Sequence, residues 1–178
     1  MKRLIMCEGP NELEIMRILL ENDALVFTED DLLGLTPYHA RQIKSSSQVR
    51  LALNLYFGND VLIMRVGDKQ TDKLTIPIDY RERISHVEKY CTLPELEMLL
   101  IISEGLVQEY DKVKSKISPK AFAMEHIRFN HVRYNNSTQF YRDYYGGDCT
   151  KLIHALREYK RIKGSHKKDE LYLADLLK

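Results

Sequence analysis

Three acidic residues follow two apolar runs of the sequence, and together they could bind a metal ion. Glu8 comes directly after the run at 4–7, Asp68 follows the run that begins at 61, and Asp72 lies four residues further on. Short continuous apolar runs are typical of strands buried on both faces. Sites in open parallel sheets form beyond the carboxyl ends of the strands, which is where these carboxylates would lie. Their oxygen atoms suit Mg²⁺, which can activate water and neutralise phosphate charge.

A simpler interpretation of the same residues stays open. Acidic side chains are usually exposed, and Glu8 and Asp68 would then only solvate two strand ends. Lys69 and Lys73 flank the aspartates, and they either contact a phosphate group or balance the carboxylate charge.

The apolar pattern predicts that strands and helices alternate along the first part of the chain. Strands are expected at 4–7, 24–28 and 61–64, with a helix after Asn11 and another from Pro37 to about Tyr56. Leu51 and Leu55 would face the core from the second helix. This alternation predicts a parallel sheet with helical crossovers.

The second part of the chain is predicted to be mainly helical. Thr92 begins a T-x-x-E capping box before an apolar stretch at 96–102, which we interpret as a buried helix, with a strand as the alternative. Ser118 and Pro119 begin a further helix, and two more are expected at 150–163 and 168–177. Residues 126–145 show no clear period.

The first strand and helix resemble a known motif. Residues 2–20, KRLIMCEGPNELEIMRILL, are similar to the first motif of the TOPRIM domain: an apolar strand, Glu-Gly, a short gap, an acidic residue and an apolar helix. Glu8-Gly9 and Glu12 take the motif positions. The second motif of the family is Asp-x-Asp after the third strand, whereas Asp68 and Asp72 here are spaced Asp-x-x-x-Asp.

A further segment is similar to one branch of that family. Residues 92–105, TLPELEMLLIISEG, resemble the Pro-x-x-Glu apolar helix of the stand-alone OLD and RloB-like TOPRIM proteins, with Pro94 and Glu97 in the corresponding places. The resemblance implies an α/β fold with a Rossmann-like TOPRIM core, in which helices flank a central parallel sheet. We expect one domain over 1–178, with the core at 1–105 and a basic, mainly helical extension at 106–178.

The resemblance also implies an activity. TOPRIM domains use Mg²⁺ (or Mn²⁺) for phosphoryl transfer on nucleic acid, so a nuclease is expected, with defence against phages or mobile elements as its setting and an ATPase as a partner protein. Glu8, Asp68 and Asp72 would hold the metal, and Glu8, Glu12 and Lys69 would be catalytic.

Two points of this assignment stay open. Glu97 would add a ligand or orient one, or it is an exposed first-turn glutamate at a helix N-terminus. The Asp-x-x-x-Asp spacing favours an alternative function, a degenerate, non-catalytic module that binds nucleic acid or a partner protein.

An Arg- and Tyr-rich segment at 126–147 is a candidate surface for nucleic acid. Arg128, Arg133 and Arg142 alternate there with aromatic residues, and such a pattern can stack bases and hold phosphates. With Lys73 they are the predicted nucleic-acid contacts. The alternative is that the aromatic residues complete the core and the arginines stack on them.

Composition excludes several other classes of protein. The 178 residues carry a net charge of +1, divided between 12 basic and 17 acidic residues up to Glu104 and 15 basic and 9 acidic residues beyond it. The chain lacks a P-loop, a G-x-G-x-x-G fingerprint, a G-x-S-x-G elbow and a membrane-length apolar run. Three cysteines without a CxxC pair argue against a disulfide framework and predict a reducing, cytoplasmic location.

Overall fold

The computed structural model describes residues 1–68, 73–92, 96–163 and 171–178, and shows an α/β protein. A central sheet of five parallel strands has the order β2-β1-β3-β4-β7, and β5 and β6 form a separate antiparallel hairpin. The strands are β1 (Lys2–Cys7), β2 (Tyr38–His39), β3 (Val61–Gly67), β4 (Ile84–Cys91), β5 (Arg128–Phe129), β6 (Val132–Arg133) and β7 (Leu171–Tyr172).

Helices cover both faces of this sheet. The α-helices are α1 (Pro10–Glu21), α2 (Ser47–Leu55), α3 (Glu97–Ser103), α4 (Val107–Asp111), α5 (Pro119–His126), α6 (Thr138–Tyr145) and α7 (Cys149–Ile162). Ser46, Ser118 and Ser137 begin α2, α5 and α6, and each side chain accepts a hydrogen bond from a backbone N–H group of the first turn. Such caps satisfy donors that a helix leaves unpaired at its start.

The two faces of the sheet bury different parts of the chain. Ile5 and Cys7 of β1 point into the larger core with α1, α3, α5, α6 and α7, while Leu4 and Met6 point into a smaller core with α2. This alternation follows from the two-residue period of a strand. The runs at 4–7 and 61–66 are continuously apolar, apart from Arg65, because both faces of β1 and β3 are covered.

The strand order places a crevice beside Glu8 and Asp68. The order reverses between β1 and β3, and ligands of doubly wound sheets bind outside the carboxyl ends of the strands at such a reversal. Cys7 lies opposite Val66, and the N–H group of Glu8 donates to the Val66 carbonyl at 2.9 Å. The prediction that both carboxylates follow adjacent parallel strands is therefore confirmed.

Two predictions for the first half are wrong. Residues 24–28 form no strand, since Leu25 makes only an isolated antiparallel bridge with Leu177, and β2 occupies the position beside β1. No helix begins at Pro37, because the chain first enters β2 and α2 starts only at Ser47. Leu51 and Leu55 are mostly exposed, because α2 instead packs Val49, Ala52 and Leu53 on the sheet.

Helix boundaries elsewhere differ in detail from the sequence prediction. Gly9, not Asn11, is the N-cap of α1, because Pro10 occupies the first helical position, where its missing N–H is not needed. The buried helix expected at 96–102 is confirmed as α3. The capping-box residues 93–95 lie outside the described residues.

The C-terminal helix predicted at 168–177 is wrong over its described part. Leu171–Tyr172 form β7, which joins the sheet beside β4, and a short 3-10 helix follows at Leu173–Leu176. Part of the extension beyond residue 105 thus belongs to the central sheet.

Candidate active site

An open pocket of about 250 Å³ lies at the carboxyl edge of the sheet. Its walls come from the start of α1, the end of β3, the segment after β4, the start of α3 and the segment after the β5–β6 hairpin. The lining residues are Asn11, Glu12, Asp68, Thr92, Leu96, Glu97, Lys120 and Asn136. Three carboxylates and one lysine therefore face a common space.

Glu8 lies beside this pocket but is buried. Only 6% of it is exposed, and its Oε1 atom is 3.5 Å from a guanidinium nitrogen of the buried Arg65. The two residues share the sheet face covered by α2, since Met6 is opposite Arg65 and Glu8 comes two residues later. A Cβ atom at Gly67 would overlap the Glu8 carboxyl group, so glycine provides the space that this group occupies.

Glu12 lines the pocket and has a carboxyl group whose pKa is raised by its surroundings. It lies in the first turn of α1, where a carboxylate is favoured by the helix dipole. Burial raises the pKa of its carboxyl group, and the negative charges of Asp68, Glu8 and Glu97 raise it further, against the lowering effect of a backbone hydrogen bond. Asp68, Glu8 and Glu97 are thus each close enough to Glu12 to disfavour its negative charge.

Glu97 begins α3 and is 6% exposed. Its Oε1 atom accepts a hydrogen bond of 2.8 Å from the Tyr134 hydroxyl group. Of the two interpretations of Glu97, the structure excludes the exposed one. Tyr134 was missed by the sequence reasoning, because a tyrosine in a stretch without period gives no signal for such a contact.

Two polar atoms in the wall of the pocket have no hydrogen-bond partner among the described residues. They are the Oγ1 atom of Thr92, a residue only 4% exposed, and the Oδ1 atom of Asn11. The Asn11 amide donates instead to the Asn136 Oδ1 atom at 3.0 Å. Buried polar atoms normally have partners, so both atoms are available to a water molecule or a ligand in the pocket.

The donor set suits a hard cation, although the arrangement is not a finished metal site. Within the part of the chain that the structure describes, no group of three or more His, Cys, Asp or Glu side chains is placed to hold a metal ion. The pocket nevertheless offers carboxylate, amide and hydroxyl oxygens, the ligand types that Mg²⁺ prefers. These residues fit the metal in chemistry, and small side-chain rotations would have to complete its coordination.

The remaining predicted site residues either do not line the pocket or lie outside the residues that the structure describes. Lys69 and Asp72 lie outside the described residues. Lys73 is exposed, and its carbonyl group accepts a hydrogen bond of 2.9 Å from the Gln42 amide. Arg142 forms ion pairs with Glu14 and Glu21, which join α6 to α1.

The Arg- and Tyr-rich segment divides into a core part and a surface part. Its buried aromatic residues pack in the larger core, as the packing alternative predicts: Tyr134, Phe140, Tyr141, Tyr144 and Tyr145. Arg128 and Arg133 lie opposite each other on the β5–β6 hairpin and are exposed. The Arg133 guanidinium also donates to the Met124 carbonyl group.

Comparison with protein-family models, with curated proteins and with solved structures found no match. Among the described helices, none combines the length and the apolar character that crossing a membrane requires. The site is therefore interpreted from its own geometry.

Proposed function

We propose that this protein cleaves phosphodiester bonds of nucleic acid with Mg²⁺ or Mn²⁺ bound at the pocket. The observation that carries the proposal is the convergence of Glu8, Glu12, Asp68 and Glu97 at the point where the strand order reverses, with a raised pKa at Glu12. A divalent cation in this oxygen-rich pocket would relieve the repulsion that raises the pKa of Glu12, and carboxylate oxygens are ligands that Mg²⁺ prefers.

The positions of the side chains suggest a different role for each of them in metal binding. Glu12, Asp68 and Glu97 would hold the metal from the pocket wall, and Glu8 lies beneath them with its charge partly balanced by Arg65. When bound, the metal would supply Lewis-acid stabilisation of the phosphate charge.

Glu12 and Lys120 provide complementary chemistry on the two sides of the pocket. The raised pKa of Glu12 shows that its negative charge is unfavourable in the metal-free pocket, and a bound cation would relieve this. Lys120 adds a positive charge on the α5 side, where it attracts a phosphate group.

Nucleic acid is the substrate that the exposed basic residues of the protein favour. Arg128 and Arg133 on the hairpin and the exposed Lys73 offer cations that can neutralise phosphates along a strand. We further propose the setting implied by the TOPRIM resemblance, a cytoplasmic role in defence beside an ATPase.

A second candidate function has its own support. The Glu8–Arg65 ion pair, and the absence of a ready-made metal group from the described residues, favour a non-catalytic module that binds nucleic acid or a partner protein. Such a module would keep the fold and the basic hairpin but not the chemistry.

Cleavage of short DNA and RNA substrates, single- and double-stranded, in Mg²⁺, Mn²⁺ or EDTA separates the two candidates. We expect cleavage that EDTA abolishes and that falls by at least about 10-fold in Glu12→Gln, since losing even the hydrogen-bond partner of a metal ligand has an effect of that size. Glu109→Gln, an exposed glutamate of α4, is the matched control. Binding without cleavage under every metal condition would support the non-catalytic module instead.

A further inference from the structure

A pair of buried hydroxyl groups lies behind Glu97. Tyr134 and Tyr141 are 1% and 0% exposed, and their hydroxyl oxygens are 3.1 Å apart. Tyr134 is also 2.8 Å from the Glu97 Oε1 atom, across 37 positions of sequence. The two rings pack edge to face at 5.8 Å, which fixes the positions of both hydroxyl groups.

The direction of these hydrogen bonds follows from the number of protons. The Tyr134 hydroxyl has one proton and two acceptors in reach, the Glu97 Oε1 atom at 2.8 Å and the Asn136 Oδ1 atom at 3.2 Å. It donates to the closer, ionised Glu97 carboxylate, which can only accept. Tyr141 then donates to the Tyr134 oxygen. Burial, and next the negative charge of Glu97, raise the pKa of Tyr141 well above its ordinary value, so its hydroxyl group stays neutral and able to donate.

This chain of donors holds one oxygen of Glu97. A hydrogen bond to an ionised acceptor is about twice as strong as one between neutral groups, and a second donor behind the first strengthens it. Glu97 therefore presents its carboxylate to the pocket with restricted rotation. Asn136, two residues after Tyr134, lines the same pocket and bonds to Asn11 of α1.

From this geometry we infer that Tyr134 is a positioning residue that orients Glu97 for metal binding, with Tyr141 supporting it from behind. The inference deepens the proposed function and rests on it. It also gives a role at the site to the segment between the hairpin and α6, which no motif in the sequence suggested.

The test measures Mn²⁺ affinity by isothermal titration calorimetry, without any substrate. Tyr134→Phe keeps the buried ring and removes only the hydroxyl group. We expect its dissociation constant for Mn²⁺ to rise by about 10-fold or more, the range found when the hydrogen-bond partner of a metal ligand is removed. Tyr141→Phe should weaken binding in the same direction and by a smaller factor.

The chain offers a matched control in Tyr145→Phe. Tyr145 is equally buried in α6, and its hydroxyl group is 2.9 Å from the Ser103 hydroxyl, away from Glu97. This variant loses a buried hydrogen bond from the same core, so its thermal stability should fall in the same direction as that of Tyr134→Phe, whose hydroxyl group makes more contacts. Its Mn²⁺ affinity should equal that of the wild type.

A double-mutant cycle shows whether Tyr134 acts through Glu97. In Glu97→Gln, adding Tyr134→Phe should change the Mn²⁺ dissociation constant far less than it does in the wild type. Equal affinities of the wild type and Tyr134→Phe, or equal losses in Tyr134→Phe and Tyr145→Phe, would overturn the inference while leaving the metal site intact. A wild-type protein that binds no Mn²⁺ would overturn the proposed function and this inference together.

Discussion

Glu8, Gly67 and Arg65 form one unit beneath the pocket. The carboxyl group occupies the space that Gly67 leaves open, and the Arg65 guanidinium balances its charge. Removing one partner of a buried ion pair leaves an uncompensated charge and is strongly destabilising. Glu8 therefore has a structural role that its position after a strand did not reveal.

Gly67→Ala tests the close approach of β3 to the Glu8 carboxyl group. The added methyl group must displace that carboxyl group, and overpacking of this kind costs about 1–3 kcal/mol of unfolding free energy. Urea denaturation provides the measurement. In the control, Gly147→Ala, a Cβ atom meets nothing within 4 Å, so stability should not change. Equal stability of the two variants would mean that Glu8 does not lie over Gly67.

Glu12 should make the stability of the protein depend on pH in a predictable direction. Because its pKa is raised in the folded state, the folded protein binds more protons than the unfolded chain just above pH 4.5, and stability falls as the pH rises through the folded pKa. Glu12→Gln removes this loss, so the variant should be more stable than the wild type at neutral pH.

The difference in stability between Glu12→Gln and the wild type should disappear below about pH 4.5, where the Glu12 carboxyl group is protonated in both the folded and the unfolded protein. Thermal unfolding of both proteins between pH 4 and pH 8 measures it. Glu109→Gln, on the exposed side of α4, should show no such gain. A gain for Glu12→Gln that is the same at every pH would contradict the proposed repulsion among the carboxylates.

At the scale of elements, the local hydrophobic pattern predicted a strand correctly only where the strand is buried on both faces. The runs that became β1 and β3 are buried on both faces, so their type could be predicted from residues 4–7 and 61–64. The end of β1 at Cys7 was also predicted, whereas β3 continues to Gly67, beyond the predicted run. The two residues of β2 show no comparable pattern, because they form a strand only by pairing with β1, which is distant in sequence. The apolar run at 24–28 predicted a strand, yet Ala24, Leu25 and Phe27 pack in the larger core as loop residues and Val26 is exposed.

The residues of the candidate site could also be predicted only where a local feature of the sequence marks them. Glu8 and Asp68 follow from strand ends, which are local features, and Glu12 was predicted only from the resemblance of residues 2–20 to the TOPRIM motif. The contact between Tyr134 and Glu97 joins residues far apart in sequence, and its hydrogen bond depends on how the segment before α6 lies against the start of α3 while α6 packs on α1. That packing cannot be predicted from a hydrophobic period in the sequence.

The β5–β6 hairpin should contribute to nucleic-acid binding through charge. Replacing both Arg128 and Arg133 with Ala removes two exposed cations, and each phosphate contact contributes about 0.9 to the slope of log affinity against log salt for duplex DNA. The slope for the double variant should therefore be flatter by up to about 1.8. Fluorescence anisotropy at several salt concentrations measures it.

The control removes the same charge elsewhere. Arg50 lies on α2 and Arg81 lies before β4, and both are exposed. Their double Ala variant should keep the wild-type slope. If both double variants flatten the slope equally, net charge rather than the hairpin determines binding.

At the scale of the molecule, the C-terminal half is needed to build the site. It contributes β7 to the sheet, Lys120, Tyr134 and Asn136 to the pocket and its surroundings, and Arg142 to the junction between α6 and α1. The acidic first half and the basic second half thus meet at one pocket, where carboxylates face a lysine. This arrangement suits a cation together with a phosphate group.

Anomalous diffraction from crystals soaked in Mn²⁺ tests the central claim most directly. The account predicts a peak at the manganese edge within coordination distance, about 2.0–2.6 Å, of oxygen atoms from at least two of Glu12, Asp68 and Glu97. Crystals of Glu12→Gln, soaked in the same way, should show a weaker peak or none. A wild-type pocket without anomalous density at millimolar Mn²⁺, or density only at unrelated surface carboxylates, would contradict it.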